Sequence, residues 1–395
     1  MGVVARRRQD RAVAEGDFKM AETAFKAGLE DVVAGTSDIC FIDGKEGRLV
    51  YRGYNVNDLW DHSSFEEIAY LLWNAKLPTA AELDALRRDL AQHRELPTPV
   101  MELLRSLPRD THPMDVLRTA VSLLGVYDRK EAAAMTAEAN RGIAARLTAR
   151  IPTIIAAFER LRTGREPVAP DAALTAAENF LYMLHGEKPK ALHARVLNVA
   201  LILHADHELN ASTFAARVTA ATLTDMYSAI TSAIGTLKGP LHGGANEQVM
   251  LMLQTIGSED NVEPWVKDAL AHKQKIMGFG HRVYKTMDPR AAILRDLSKE
   301  VGEDAGELKW YNMLQRVEKV VTEGKPLYPN VDFFSGSVYY QMGIPTDQFT
   351  PVFAMSRIAG WTAHVLEQYA NNRIIRPRAE YTGPTHLDYV RLERR

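Results

Sequence analysis

Apolar side chains recur at helical spacing along almost all of this 395-residue chain, and prolines and glycines divide the pattern into segments of ordinary helix length. Ser64 with Glu67 forms a capping box ahead of one such segment, which is typical of a helix start. A single β signal interrupts the pattern, because residues 39–52 hold two β-prone runs around Asp43 and Gly44. The sequence therefore predicts an all-α, multi-helical fold with one small N-terminal β-hairpin.

Three stretches of the sequence predict helices. Apolar residues from Leu192 onward step at helical intervals as far as His207, which places His207 on the face of the same helix. A run rich in Ser, Thr and Ala predicts one continuous helix from about residue 212 to residue 237. Residues 349–371 predict a long amphipathic helix.

The composition changes near Gly243, after which charged residues, glycines and prolines become more frequent up to about residue 340. We expect residues 243–340 to form a small domain inserted into a large helical domain of residues 20–242 and 341–395, with a cleft between them. Residues 1–19 are polar and are expected to form a mobile N-terminal extension.

Charge and cysteine content exclude several classes of protein. The 48 Lys and Arg residues nearly balance the 50 Asp and Glu residues, so a nucleic-acid partner is not expected. No segment approaches the roughly 18 consecutive apolar residues of a membrane-spanning helix, and no apolar stretch follows the N-terminal arginines as in a secretory signal. Cys40 is the only cysteine, which rules out an intramolecular disulfide and suits the reducing cytoplasm.

The first loop-like cluster of polar residues is KGPLHGGANEQ, residues 238–248. Its His242 stands just before a helix, whose partial positive charge disfavours a second proton on the imidazole. A neutral histidine there is suited to donate a hydrogen bond to a carbonyl oxygen. The alternative is a histidine that caps the helix or fills a gap in the packing.

The second cluster is GFGHRVYKTMDPRA, residues 278–291. Gly278 and Gly280 allow the backbone to approach a ligand closely, and His281, Lys285 and Arg290 follow. Phosphates and carboxylates are natural partners of such a group. The alternative is a solvated, charged surface, and the cluster lacks the Gly-Lys-Ser/Thr ending of a nucleotide-binding loop.

The third cluster is YPNVDFFSG, residues 328–336, where Asp332 stands among apolar side chains. Such surroundings raise the pKa of a carboxyl group and make it a better base near neutral pH. The alternative is an aspartate that serves as a helix N-cap.

Two further features concern a helix and a histidine pair. Arg357 lies in an otherwise apolar helical stretch, where it needs a bound anion or a carboxylate partner, so a ligand role and a structural ion pair both stay open.

His204 and His207 are spaced like a metal-binding pair on one helix turn, but no HExxH motif is present and no metal site is expected.

Taken together and in order, these stretches resemble the citrate synthase family in its short bacterial form. The similarity covers residues 28–384 and is carried by GLEDVVAGTSDI, RLVYRGY, LILHADHE, GPLHGGANE, GFGHRVYKTMDPRA, NVDFFSG, SRIAGWTAHVLEQ and IIRPRAEYTGP. The resemblance implies a homodimer of mostly helical subunits, each with a large and a small domain that close over the substrates. It also implies condensation of acetyl-CoA with oxaloacetate and hydrolysis of citryl-CoA to citrate and CoA, with no metal and no cofactor.

The resemblance further implies a role for each matching residue. Asp332 matches the base that removes a methyl proton from acetyl-CoA, His242 the donor to the thioester oxygen, and His281 the residue that polarises the oxaloacetate carbonyl and protonates the new alkoxide. The other matches bind substrates: His207, Arg290 and Arg357 for oxaloacetate, Arg376 for oxaloacetate in the partner subunit's site, and Gly278, Gly280 and Lys285 for CoA. Lys285 stands where the family often has an arginine, which keeps the charge but loses bidentate hydrogen bonding.

Three other functions remain as alternatives. A 2-methylcitrate synthase uses propionyl-CoA, which is one methylene larger, and an apolar pocket discriminates one methylene by only about 10- to 200-fold. A non-catalytic helical protein that binds CoA or a dicarboxylate is the alternative of another class, although all three catalytic residues are present. A histidine-based metallohydrolase would require a bound metal.

Overall fold

The computed structural model describes residues 26–30, 32–324 and 326–395, and the predicted extension of residues 1–19 lies outside them. The chain divides into two compact units, of which one is Ser37–Ile375 and the other joins the residues before Ser37 with Arg376–Arg395. The large and small domains expected from the composition, with boundaries near residues 242 and 340, stay a prediction.

Helices dominate the unit Ser37–Ile375, and the all-α fold class is confirmed. The described residues form seventeen α-helices: α1 Val56–Leu59, α2 Phe65–Asn74, α3 Ala80–Gln92, α4 Thr98–Ser106, α5 Pro113–Tyr127, α6 Arg129–Ala134, α7 Ala137–Arg162, α8 Ala176–His185, α9 Ala191–His204, α10 Ala211–Ala220, α11 Met226–Leu237, α12 Ala245–Ile256, α13 Val262–Ala271, α14 Pro289–Ala305, α15 Lys309–Gly324, α16 Val331–Gln341 and α17 Phe349–Ala370. Short 3-10 turns at Glu259–Asn261 and Thr346–Gln348 lie between them.

The predicted hairpin forms near the start of this unit. Strand β1 (Cys40–Asp43) pairs antiparallel with β2 (Arg48–Tyr51), and the Asp43 carboxylate accepts backbone hydrogen bonds that close the turn. A two-residue strand, β3 (Tyr54–Asn55), which the sequence did not predict, adds to β2 and completes a sheet of three strands.

Helix starts follow local side-chain chemistry closely. The capping box predicted for Ser64 and Glu67 opens α2, because each side chain accepts a hydrogen bond from the other's backbone N–H. The same reciprocal pair, Thr79 with Glu82, opens α3. The backbone N–H groups that lack partners at a helix start are thus satisfied by side chains only a few residues away. These helix boundaries can therefore be predicted from the sequence.

The prediction that His207 lies on the face of a helix is wrong. Helix α9 ends at His204, and His207 lies in the irregular segment that follows. The Tyr51 hydroxyl donates to the Asp206 carbonyl at 3.0 Å and accepts the Asp206 N–H at 3.3 Å. A side chain from the distant hairpin therefore takes the backbone groups that a longer α9 would have used.

The continuous helix predicted between residues 212 and 237 is also wrong, because the structure divides it into α10 and α11. Leu223 between them has a φ of 63°, which a helix cannot contain. The Asp225 side chain then caps α11 by accepting the Ser228 N–H.

Helix α17 forms within one residue of its predicted range, but it is not amphipathic. All residues in Phe349–Val365 are buried. The helix packs against α2, α7, α9, α10 and α11. A helix that is buried on every side is the centre of a bundle rather than its surface, so its polar residues must find partners inside the protein.

The other unit has little regular structure. Its described residues include 3-10 turns at Ala27–Leu29 and Leu392–Arg394, and Arg376 is exposed. Among the helices that the structure describes, none combines the length and the apolar character needed to cross a membrane.

Candidate active site

Three aromatic rings meet where the segment after α9 approaches the loop before α14. The His207 ring centroid lies 5.1 Å from that of His281 and 5.7 Å from that of Tyr284, and the last two lie 4.6 Å apart. His207 Nε2 and the Tyr284 hydroxyl are buried and have no hydrogen-bond partner among the described residues. The structure thus brings together the predicted residues His207 and His281 and adds Tyr284, which sequence analysis had not identified.

Backbone contacts determine which nitrogen of His281 carries the proton. Its Nδ1 accepts hydrogen bonds from the Val283 N–H at 2.9 Å and the Tyr284 N–H at 3.1 Å. The proton of the neutral ring is therefore on Nε2. Burial, reinforced by the charge of Arg290, lowers the pKa of His281 to about 4. His281 is consequently a neutral hydrogen-bond donor near pH 7.

The glycines predicted to contact CoA join the loop before α14 to the start of α16. Gly278 and Gly280 have φ values of 82° and 80°, which favour glycine. The Gly280 N–H donates to the Tyr328 carbonyl, and the Asn330 N–H donates to the Gly278 carbonyl, both at 2.9 Å. A Cβ at Gly278 would lie 2.7 Å from the Phe333 ring, so this contact also requires glycine. Their contact with CoA stays a prediction.

Asp332 lies in the first turn of α16 and is not its N-cap. Asn330 is the cap, and its side chain accepts the Asp332 N–H. Asp332 Oδ1 is buried and has no hydrogen-bond partner among the described residues. Burial raises the pKa of Asp332 to about 7, although the positive charge of Arg290 opposes the rise. The direction is the one predicted from the apolar flanks, and it gives a carboxylate that can accept a proton near neutral pH.

Arg290 forms a buried, bidentate ion pair with Asp288. Its Nε and Nη2 donate to the two carboxylate oxygens at 3.0 and 2.8 Å. Burial favours the neutral guanidinium, but the Asp288 charge outweighs it and raises the pKa of Arg290. Asp288 also caps α14 and accepts the Val331 N–H at 3.2 Å, which ties α14 to the start of α16. Sequence analysis missed Asp288, although an aspartate before a proline at a helix start was a visible signal.

Arg357 has no carboxylate partner of this kind. Its Nε donates to the His204 carbonyl at 2.7 Å, and its guanidinium lies 4.7 Å from the Phe353 ring centroid. The fully buried pair of a guanidinium and a carboxylate among the described residues joins Arg290 to Asp288 and does not include Arg357. Burial lowers the pKa of Arg357 to about 10, so the side chain is still charged at neutral pH and available to an anion.

His242 lies in the turn before α12 and shows the opposite tautomer to His281. The Ser212 N–H donates to His242 Nε2 at 3.2 Å, and the Ser212 hydroxyl lies 2.8 Å from the same nitrogen. The proton of the neutral ring is therefore on Nδ1. Burial, followed by the charge of Arg357, lowers the pKa of His242 to about 4. The direction is the one predicted, and its causes are burial and the charge of Arg357.

The remaining predicted residues lie at the edge of this cluster or outside it. A cavity of about 230 Å³ is lined by Gly280, His281, Tyr284 and Lys285 among others. Lys285 is exposed, and its backbone N–H donates to the Gly44 carbonyl at 2.8 Å. Arg376 belongs to the other unit, so its proposed place in a substrate site stays a prediction.

Of the histidine pair His204 and His207, the first is engaged within its own helix. His204 Nδ1 lies 2.7 Å from the Ala200 carbonyl, inside α9, where burial lowers its pKa to about 3. Among the residues that the structure describes, no three His, Cys, Asp or Glu side chains are grouped so that they could hold a metal ion.

Comparison with known proteins decides the family. The family profile described as "Citrate synthase, C-terminal domain" matches residues 28–378. The chain belongs to the citrate synthase family. This confirms the resemblance carried by the ordered motifs, and it makes the protein an enzyme that transfers acyl groups.

Relatives within the citrate synthase family match almost the full chain. "Citrate synthase 2" of Bacillus subtilis is 54% identical over 369 residues, which cover 93% of this chain and 98% of that protein. A 2-methylcitrate synthase of Shewanella oneidensis is 44% identical over 360 residues, which cover 90% and 94%. Among solved structures, the ternary complex of Thermoplasma acidophilum citrate synthase with carboxymethyl coenzyme A and oxaloacetate has a TM-score of 0.88 at 36% identity and covers 93% of this chain and 98% of that one.

Proposed function

We propose that this member of the citrate synthase family condenses acetyl-CoA with oxaloacetate and hydrolyses the resulting citryl-CoA to citrate and CoA. The observation that carries the proposal is the state of Asp332. Its Oδ1 is buried and has no hydrogen-bond partner among the described residues, and its pKa is raised to about 7. A carboxylate in this state is a better base than an exposed one, as the removal of a carbon-bound proton requires.

We assign enolisation of the acetyl thioester to Asp332 and His242. The methyl proton is weakly acidic, so a carboxylate removes it only when the developing oxyanion is stabilised. His242 has one donor available, the Nδ1–H, because Ser212 occupies Nε2. Asp332 therefore takes the methyl proton while the His242 Nδ1–H binds the thioester oxygen.

We assign the binding of oxaloacetate to two arginines and two histidines. A dicarboxylate needs fixed positive charge, which Arg290 and Arg357 carry within buried surroundings. The Nε2–H of His281 is suited to bind the ketone oxygen, and the neighbouring His207 leaves Nε2 free for a further contact. As the methylene carbon bonds to the ketone carbon, the ketone oxygen becomes an alkoxide and His281 supplies its proton. Water then hydrolyses the thioester and releases CoA.

The proposed chemistry uses only side chains of the protein, so it needs no metal and no cofactor. The family resemblance supports a homodimer in which Arg376 contacts oxaloacetate in the partner subunit's site. The lone cysteine, Cys40, is buried and free, which is compatible with the cytoplasm as the proposed compartment.

The second candidate is 2-methylcitrate synthase, which the Shewanella oneidensis relative favours. The same residue roles serve both reactions, because propionyl-CoA differs by one methylene next to the carbon that loses its proton. A pocket separates such substrates by about 10- to 200-fold at most. We therefore expect measurable turnover of both substrates, with acetyl-CoA preferred.

Release of free CoA thiol tests the proposal directly. Purified protein is assayed with acetyl-CoA and with propionyl-CoA, each in the presence and absence of oxaloacetate. We expect release that requires oxaloacetate and a higher kcat/KM for acetyl-CoA. A preference for propionyl-CoA would transfer the assignment to 2-methylcitrate synthase, and no release with either substrate would leave the non-catalytic binding protein.

The variant Asp332→Ala separates the base from the binding residues. We expect it to abolish condensation and to leave oxaloacetate binding, measured by calorimetry, largely intact. Turnover close to that of the unchanged protein would show that Asp332 is not the base.

A further inference from the structure

One face of α17 is bonded to the end of α9 and the segment that follows it. The Ser356 hydroxyl donates to the Leu201 carbonyl. One residue further on, Arg357 Nε donates to the His204 carbonyl at 2.7 Å. The Gly360 N–H, although inside a helix, donates to the Ala205 carbonyl at 3.1 Å. Contacts on successive turns of one helix thus hold the chain that leads into His207.

Gly360 allows the unusually close approach of the two segments. A Cβ at this position would lie 2.3 Å from Asp206 Oδ1 and 2.4 Å from the Ala205 carbonyl oxygen. These distances are too short for any side chain, so only glycine lets α17 lie against the backbone of residues 205 and 206. Asp206 itself is fully buried.

His364 makes the last contact of this face, and its tautomer is determined by Arg217. The Arg217 guanidinium lies 3.1 Å from His364 Nδ1, and a guanidinium can only donate. The proton of His364 is therefore on Nε2, which donates to Asp206 Oδ2 at 3.2 Å. All three side chains are buried, so the chain Arg217–His364–Asp206 has one hydrogen-bonded arrangement available to it.

Arg217 is itself anchored to the far end of α17. It donates to the Glu367 carboxylate and, at 3.1 Å, to Gln368 Oε1. The Glu367 carboxylate also accepts hydrogen bonds from the Ser37 hydroxyl and the Asp38 N–H. The hydrogen-bonded chain Arg217–His364–Asp206 is therefore held by residues that are not assigned to oxaloacetate, and it does not depend on a substrate to order it.

Asp206 acts on two of the residues assigned to oxaloacetate. It immediately precedes His207 in the chain, and its Oδ2 accepts the Glu208 N–H at 3.3 Å, so this side chain is bonded to the backbone on the far side of His207. It is also the carboxylate whose charge acts most strongly on Arg357, without an ion pair between them. A displaced Asp206 would therefore move one substrate-binding group and alter the field at another.

We propose that His364 is a positioning residue for oxaloacetate binding: held by Arg217, it fixes Asp206 and thereby places His207 and the carboxylate charge that acts on Arg357. The proposal rests on the function proposed above, since it concerns the same dicarboxylate site. His364 does not touch the substrate, and its effect passes through Asp206.

The pair of variants His364→Leu and His364→Gln tests this role. Leucine removes both hydrogen bonds, whereas a glutamine amide can accept from Arg217 and donate to Asp206. Because a hydrogen bond to a charged group holds Asp206 in place, we expect His364→Leu to raise the KM for oxaloacetate about tenfold. We expect the KM for acetyl-CoA to stay unchanged and His364→Gln to recover most of the oxaloacetate affinity.

A second variant keeps the test decisive if His364→Leu does not fold. Arg217→Met leaves His364 in place but removes the donor to its Nδ1, and we expect it to raise the same KM. Unchanged KM values for oxaloacetate in the variants that fold, or equal rises for both substrates, would overturn the proposal.

Thr362→Val is the matched control on the same helix. Its hydroxyl accepts the Trp73 indole N–H at 2.9 Å and is fully buried, but it makes none of the contacts to residues 201–206. We expect a lower melting temperature with both KM values unchanged, which separates lost stability from lost positioning. If the unchanged protein releases no CoA thiol, the proposed function fails, and calorimetric titration of oxaloacetate into the same variants still decides the positioning role.

Discussion

At the residue scale, Asp332, His242 and His281 all have the protonation states that the proposed reaction requires in the same pH range. Burial raises the pKa of Asp332 to about 7, whereas burial lowers the pKa values of His242 and His281 to about 4. Burial disfavours charge in each case, so the shifts are opposite for an acid and for a base. Above about pH 7, Asp332 is therefore ionised, whereas His242 and His281 are neutral imidazoles with one donor N–H each.

This ordering predicts the acid limb of the pH–rate profile. Activity requires ionised Asp332, so kcat/KM should fall as the pH decreases through about 7, with a slope of one. The two histidines titrate near pH 4 and are expected to leave that limb unaffected. The measurement is kcat/KM for acetyl-CoA between pH 5 and 9 at saturating oxaloacetate. An acid limb centred near pH 4 would mean that Asp332 has an ordinary pKa or is not the base.

At the element scale, the small hairpin supports the loop that carries His281. The turn between β1 and β2 meets that loop at Gly44, whose carbonyl accepts the Lys285 N–H at 2.8 Å. A Cβ at Gly44 would lie 2.3 Å from the Val283 carbonyl oxygen. Because the Val283 N–H is one of the two donors that orient His281, the hairpin turn indirectly determines the geometry of the site.

The substitution Gly44→Ala should therefore impair catalysis through the loop. The added methyl group forces the turn and residue 283 apart, which weakens the hydrogen bonds to His281 Nδ1. We expect kcat to fall about tenfold, the order of one hydrogen bond to an active-site group. Steady-state kinetics measure the change, with Gly324→Ala as the control, since a Cβ there meets only Leu270 Cδ1 at 3.7 Å. Equal kcat values for the two variants would contradict a supporting role for the turn.

At the scale of the whole molecule, the family resemblance predicts that one complete site needs two chains. Arg376 is exposed in its own unit, as a residue destined for a partner subunit would be in a single chain. A closed dimer with two-fold symmetry would contain two such shared sites.

Mixed dimers of Arg376→Ala and Asp332→Ala chains test this sharing. If Arg376 acts in the partner's site, one site of the mixed dimer has both residues and the other has neither. Such dimers should then recover about half of the activity of the unchanged dimer, because one of two equivalent sites is complete. If each subunit uses its own Arg376, neither site is complete and no activity returns. Tandem-affinity purification of co-expressed chains supplies the mixed dimers.

Local sequence was sufficient for much of the fold and for the family. The box of Ser64 and Glu67 opens α2 where predicted, and the hairpin forms around Asp43 and Gly44, because these features are satisfied within a few residues. The order of the motifs identified the family, and they contained His207, His242, His281, Asp332 and the arginines as candidates.

Only the tertiary structure decided the tautomers, the pKa values and the surroundings of those candidate residues. Helix α9 ends at His204 because Tyr51, from the hairpin, bonds the Asp206 backbone. The tautomer of His242 depends on Ser212, 30 residues away in the chain. Periodicity and spacing describe neighbours along the chain, whereas burial, tautomers and pKa values depend on groups that are distant in sequence and meet only when the helices pack.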